Sequence, residues 1–133
     1  MDFQFRIFEA PDLLVETFCG KIRIDDLIPA IAEVYAHPAF RPDMAALVDL
    51  RRASLDISYR QMCEFVLRLQ TQSRIVSGRW AFLVSHPADF GICRIYEAIA
   101  ENIHDDVAVF YDWESATAWL GADGAKDGFD IAR

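Results

Sequence analysis

The stretch MAALVDLRRASLDISYRQ, residues 44–61, reads as a buried strand, a charged crossing loop and the capped start of a helix. Ala45, Ala46, Leu47, Val48 and Leu50 form a short apolar run, the pattern of a strand covered on both faces. Asp49, Arg51 and Arg52 stand at its C-terminal end. Ser58 opens a helical pattern and Gln61 follows three residues later, the spacing of a capping box. In an open α/β sheet, ligands and partners bind outside the carboxyl ends of the strands. This junction is therefore the first place to look for function.

Upstream, Phe3, Phe5 and Ile7 alternate with Gln4, Arg6 and Phe8, which predicts a strand with one apolar face. Ala10-Pro11-Asp12 is a turn signal, and residues 13–19 form a second strand that Gly20 ends. The short connection makes the pair an antiparallel hairpin. Residues 24–36 follow as a helix with Leu27, Ile28, Ile31, Val34 and Tyr35 on one stripe and Pro29 tolerated inside it. His37-Pro38 stops it.

Downstream, the helix that Ser58 opens runs to about residue 75, with Met62, Phe65, Val66 and Leu69 inward, and Gly78 follows as a stop. Residues 79–85 are a nearly continuous apolar strand. Pro87 starts a helix over 87–102, with Ala88, Ile92, Ile95, Ile99 and Ile103 as its inner stripe. Residues 106–111 are the last strand. Asp112 caps a short final helix, and Gly121 ends it. The order is ββαβαβαβα: an α/β fold with a mixed sheet of five strands, an N-terminal antiparallel hairpin and then right-handed βαβ units. Residues 1–121 form a single domain. The tail 122–133 carries little periodicity and is expected to be flexible.

A chain of 133 residues with 53% hydrophobic residues, 10 of them Phe, can bury a real core. The formal charge of −8 opposes non-specific binding to nucleic acid or anionic membrane, since both need a basic field. Cys19, Cys63 and Cys93 are odd in number, widely spaced and set in apolar periodic segments, so they are expected as small core residues. His37, His86 and His104 share no metal-ligand spacing, and no glycine-rich phosphate loop occurs. No cofactor and no metal are expected. The acidic-flanked N-terminus lacks a signal-peptide pattern and no stretch is fit to span a membrane, so a cytoplasmic protein is expected.

Several segments resemble a known family. Gly20 before the first helix, YAHPAFR at 35–41, VDLR at 48–51, FGICRIYE at 90–97, Phe110 and AWLG at 118–121 are together similar to small bacterial STAS/CRAL-TRIO-like proteins with the SpoIIAA-like fold. The resemblance covers the chain up to Gly121 and implies mostly fold, since these proteins have no assigned activity. The wider STAS group includes anti-sigma-factor antagonists switched by phosphorylation of a serine at the start of the helix after the third strand. By position, Ser58 matches that serine. Ile57 and Tyr59 depart from the Asp-Ser-Ser-Gly motif, and its Gly is missing.

Each candidate also has a plainer reading. Ser58 serves equally as a helix N-cap. Arg51 and Arg52 form a pair suited to a carboxylate or phosphate, with Asp49 orienting one guanidinium, or Asp49 simply fixes the crossover by pairing with one Arg. Arg94 reaches the same sheet end, or pairs with Glu97 or Glu101 on its own helix. His86 has no nucleophile beside it and suits a loop or cap. Trp80, Trp113 and Trp119 with the Phe residues line an apolar ligand pocket, form a dimer face or fill the core. The expectation is a non-enzymatic regulatory or protein-interaction module, as a homodimer or with a protein partner. The alternative is a binder of a small apolar or anionic, lipid-like ligand.

Overall fold

The computed structural model describes residues 1–9, 11–71, 76–101, 103–123, 125 and 127. Among the described residues nine elements follow in chain order: β1 (Asp2–Glu9), β2 (Asp12–Arg23), α1 (Ile24–Ala36), β3 (Ala45–Asp56), α2 (Tyr59–Thr71), β4 (Val76–Leu83), α3 (Pro87–Ile99), β5 (His104–Phe110) and α4 (Trp113–Leu120). The five strands form one sheet in the order β1-β2-β3-β4-β5. β1 and β2 are antiparallel, pairing Glu9 with Asp12 at the turn, and every other pair is parallel.

Both faces of the sheet are covered, which explains the near-continuous apolar runs of its inner strands. Even-numbered residues of β2 and early β3, among them Leu14, Phe18, Ala46 and Val48, pack under α1, α2 and α3. Their odd-numbered neighbours Leu13, Val15 and Leu47 pack with Ala81 and Leu83 under Trp113, Ala116 and Leu120 of α4. Phe3, Phe5 and Ile7 of β1 lie on the three-helix side, as their alternation predicts.

Three local signals at helix ends are met. Ser58 N donates to Gln61 Oε1 at 2.9 Å and Gln61 N donates to Ser58 Oγ at 3.1 Å, a complete capping box. Asp112 accepts from Ser115 N at 2.8 Å, and Gly121 closes α4 in the left-handed region at φ 72°.

Four expectations are corrected. The segment after Leu50 is not a loop: β3 continues through Arg51 to Asp56 and pairs with β2 as far as Arg23. Gly20 therefore does not end β2 but lies inside it, opposite Ala53, at φ 90°. Between Thr17–Asp49 and Cys19–Arg52 the register shifts by one extra residue on β3. This bulge switches the inward face from even to odd positions, so Ala53, Leu55 and Ile57 join Leu50 against the helices. Gly78 is not a helix stop but a β4 residue, where a Cβ would run into the carbonyl of Met44.

The fourth correction concerns α3. Its centre line is Asp89, Cys93 and Tyr96, continued by Ala100, while Ile92, Ile95 and Ile99 are only half-buried and Ala88 is exposed. The helix is rotated about one position from its isoleucine stripe. Asp89 is held there because its Oδ1 accepts the Leu55 N–H at 2.9 Å. That N–H belongs to the part of β3 beyond its pairing with β4, which covers Ala46 to Asp49 only. The carboxylate thus supplies the acceptor that a neighbouring strand would otherwise provide. Of the cysteines only Cys93 is buried, and Cys19 and Cys63 are half-buried. Asn102 and residues 72–75, at the expected ends of α3 and α2, lie outside the described residues.

Candidate functional site

In the middle of β3, two residues past its pairing with β4, Arg51 is fully engaged. Its guanidinium donates to Asp49 at 3.0 and 2.9 Å and to both oxygens of Asp127 at 2.8 Å, and it lies 5.6 Å from the Trp113 ring centre. The Asp127 and Asp49 hydrogen bonds raise the pKa of Arg51 further, so its charge is permanent. Trp113 Nε1 donates to the Ala125 carbonyl at 2.8 Å and Ala122 is buried, which ties this part of the tail to the α4 face. The other tail residues lie outside the described residues.

The expected cationic group does not gather at one point. Arg52 is exposed on β3, while Arg94 points outward from α3 and pairs with Glu97 at 3.4 Å. Ser58 is exposed at the start of α2, with its hydroxyl in the capping box. His86 precedes α3 as an exposed N-cap residue without a side-chain cap bond. Among the described residues no three His, Cys, Asp or Glu side chains come together as metal ligands.

A different group does converge, on the three-helix side of the sheet. A pocket of about 90 Å³ lies between β2, β3 and β4 below and α1, α2 and α3 above. Its walls are apolar apart from Glu16, Cys93 and Tyr96. Leu27 and Ile31 of α1 line it while only half-buried, whereas Glu16 is 5% exposed. Glu16 is in the middle of β2, opposite Phe5 on β1 and Val48 on β3, where alternation aims it with Leu14 and Phe18 under the helices. Among the described residues no hydrogen bond reaches its carboxyl group.

Electrostatics follow from this burial. Desolvation pushes the Glu16 carboxyl up to about 8, so it is mostly neutral at pH 7. Burial, with the charge of Asp89 adding to it, pushes the Cys93 thiol up to about 12. Burial also raises the Tyr96 phenol, with smaller contributions from Tyr35, Glu16 and Cys93. At neutral pH the pocket presents three proton-bearing groups and no fixed charge of its own.

Sequence reasoning did not single out Glu16, Cys93 or Tyr96 as pocket residues, although Cys93 was expected in the core and is buried there. For Glu16 a signal was present: it is the one carboxylate inside the run LLVETFC, at an inward position of a strand buried on both faces. For Cys93 and Tyr96 the isoleucine spacing of α3 pointed to the wrong face.

A solved structure has a similar backbone. It is an uncharacterized protein of the DUF3478 family with a SpoIIAA-like fold from Shewanella loihica PV-4, 17% identical, with a TM-score of 0.55 over 90% of this chain and 92% of that one. The fold is SpoIIAA-like. The resemblance in the residues and the likeness in the backbone thus agree on architecture. No family model and no curated protein matches the chain. In SpoIIAA-like terms, the pocket lies under the helical layer and Ser58 at the start of the helix after the third strand. Among the described residues no helix is long and apolar enough to cross a membrane.

Proposed function

We propose that this SpoIIAA-like protein is a non-enzymatic binding module that takes a small, mostly apolar ligand carrying one polar group. The observation that carries this reading is Glu16, a buried carboxyl without a hydrogen-bond partner among the described residues, facing an apolar pocket. A core built for stability alone gains nothing from such a group, because burying it unpaired costs several kcal/mol. A ligand that meets it recovers part of that cost. Binding rather than turnover is supported by protonation, since Cys93 keeps its thiol proton and is a poor nucleophile.

A STAS-like interaction role fits beside it. α2 carries Tyr59 and Leu67, 59% and 60% exposed, with half-buried Cys63 between them at the same helical spacing. This outward apolar stripe adjoins Ser58, and a second copy of the chain is its proposed occupant. Phosphorylation of Ser58 would then add charge at the edge of that contact.

Native mass spectrometry beside a denatured run tests both readings. The expected spectrum is a dimer with an excess mass that vanishes on denaturation. A native mass equal to the bare chains removes the resident ligand, and a monomer removes the self-association.

A further inference from the structure

We propose that the ligand of the Glu16 pocket is an amine, a protonated nitrogen on a short apolar body, seated against the Glu16 carboxylate and among aromatic rings. The inference rests on the pocket being a ligand site, as proposed above. Three observations carry it.

First, Glu16 is almost wholly buried and lines the pocket with no hydrogen-bond partner for its carboxyl among the described residues. The complement of a lone carboxylate is a cation or a donor. Second, no Lys, Arg or His lines the pocket. The titratable groups around Glu16 are Cys93 and Tyr96 of α3, with Asp89 acting on Cys93 and Tyr35 of α1 acting on Tyr96. The lining residues of α2, β3 and β4 do not titrate. All of these groups are neutral or negative, so the site repels an anion and accepts a cation. Third, Phe18, Phe65, Trp80, Phe82 and Tyr96 contribute to the walls. Phe82 and Tyr96 meet edge to face, with centroids 5.5 Å apart at 69°. Aromatic faces attract ammonium groups, most of all where water is excluded.

Size narrows the body of the ligand. The pocket of about 90 Å³ is smaller than the ~150 Å³ cavity that admits benzene, so it holds only a few heavy atoms, the ammonium and the first carbons of a short alkyl chain.

The protons balance in a simple way. A free ammonium enters with its proton and Glu16 releases its own to solvent, leaving an ammonium–carboxylate pair. A neutral amine instead takes the Glu16 proton and gives the same pair. Because Glu16 holds its proton up to about pH 8, binding of the ammonium at pH 7 releases close to one proton. Affinity therefore rises about tenfold per pH unit below that value and falls again above the amine's own pKa, about 10.

The test uses the full chain with n-butylamine and its neutral counterpart n-butanol as probes. Binding is followed by NMR titration of the Met62 methyl and by calorimetry in two buffers of different ionisation heat. The expected result is butylamine bound more tightly than butanol, with one proton released at pH 7 and the stated pH slope. Glu16→Gln is expected to lower butylamine affinity by roughly a hundredfold, the scale for removing one partner of a buried ion pair. The wild-type proton count stands without the variant. Butanol binding with butylamine absent, or bound without proton release, overturns the amine and leaves the pocket reading intact. Neither probe shifting the Met62 methyl overturns both.

Discussion

Glu16 makes the stability of the protein depend on pH in an unusual direction. Exposed in the unfolded chain the carboxyl titrates near its ordinary 4.5, and in the fold near 8. Between those values the folded state holds a proton that the unfolded state has lost. Stability contributed by this group is therefore complete below pH 4.5, falls as pH rises to about 8 and is flat above. The full span amounts to something on the order of 5 kcal/mol, a large share of the 5–15 kcal/mol typical of a domain. Glu16→Gln, which cannot ionise, is expected to be several kcal/mol more stable than the wild type at pH 8 and close to it at pH 5. Urea denaturation at the two pH values measures this. Parallel curves for the two proteins would show that Glu16 ionises freely. The same residue shows what the sequence made legible. Its place in an inward strand position is written in the alternation of LLVETFC, but the space above it depends on three helices far along the chain.

At the scale of elements, local chemistry was readable where a few neighbouring residues decide the outcome. The Ser58–Gln61 box, the Asp112 cap and the Gly121 stop are such cases. The second half of β3 was not. RRASLD is polar, and it becomes a strand only because β2 runs on past Gly20 to pair with it. The rotation of α3 was equally hidden, being set by the bond from Leu55 to Asp89, 34 residues away in the chain. This bond gives a prediction about the overhang of β3. Asp89→Ala leaves the half-buried Leu55 N–H without its acceptor and is expected to cost about 1 kcal/mol. Hydrogen exchange should show the loss first at the Leu55 amide, while Asp89→Asn, which keeps an acceptor oxygen, should retain most of the protection. Uniform acceleration across the sheet in the Ala variant would mean that Asp89 acts on global stability rather than on the overhang.

For the molecule as a whole, the sheet separates two independent jobs. The pocket lies under α1–α3, while the Arg51–Asp127 contact and the bond from Trp113 to Ala125 lie on the α4 face. Ending the chain at Gly121 removes Ala122, Ala125 and Asp127 and uncovers Trp113. The half-exposed ion pair contributes little by itself, so the expected loss of about 2 kcal/mol comes mainly from the Trp113 bond and the buried Ala122. A thermal melt should record that loss with n-butylamine affinity unchanged. A change in affinity would show that the two faces communicate. The architecture itself was legible in the order of apolar runs, because each βαβ unit is a local pattern. The functional surfaces were not, because they arise where distant units meet.

The strand order 1-2-3-4-5 carries one more consequence, for how the chain reaches this state. Every partner in the sheet is also the nearest strand along the polypeptide, so no strand must wait for a later one to be inserted beside it. Each unit synthesised can dock on the edge left by its predecessor, and the nascent sheet grows in one direction as it leaves the ribosome. Arg51 and Asp127, 76 positions apart, are joined last, as a latch on a structure already assembled.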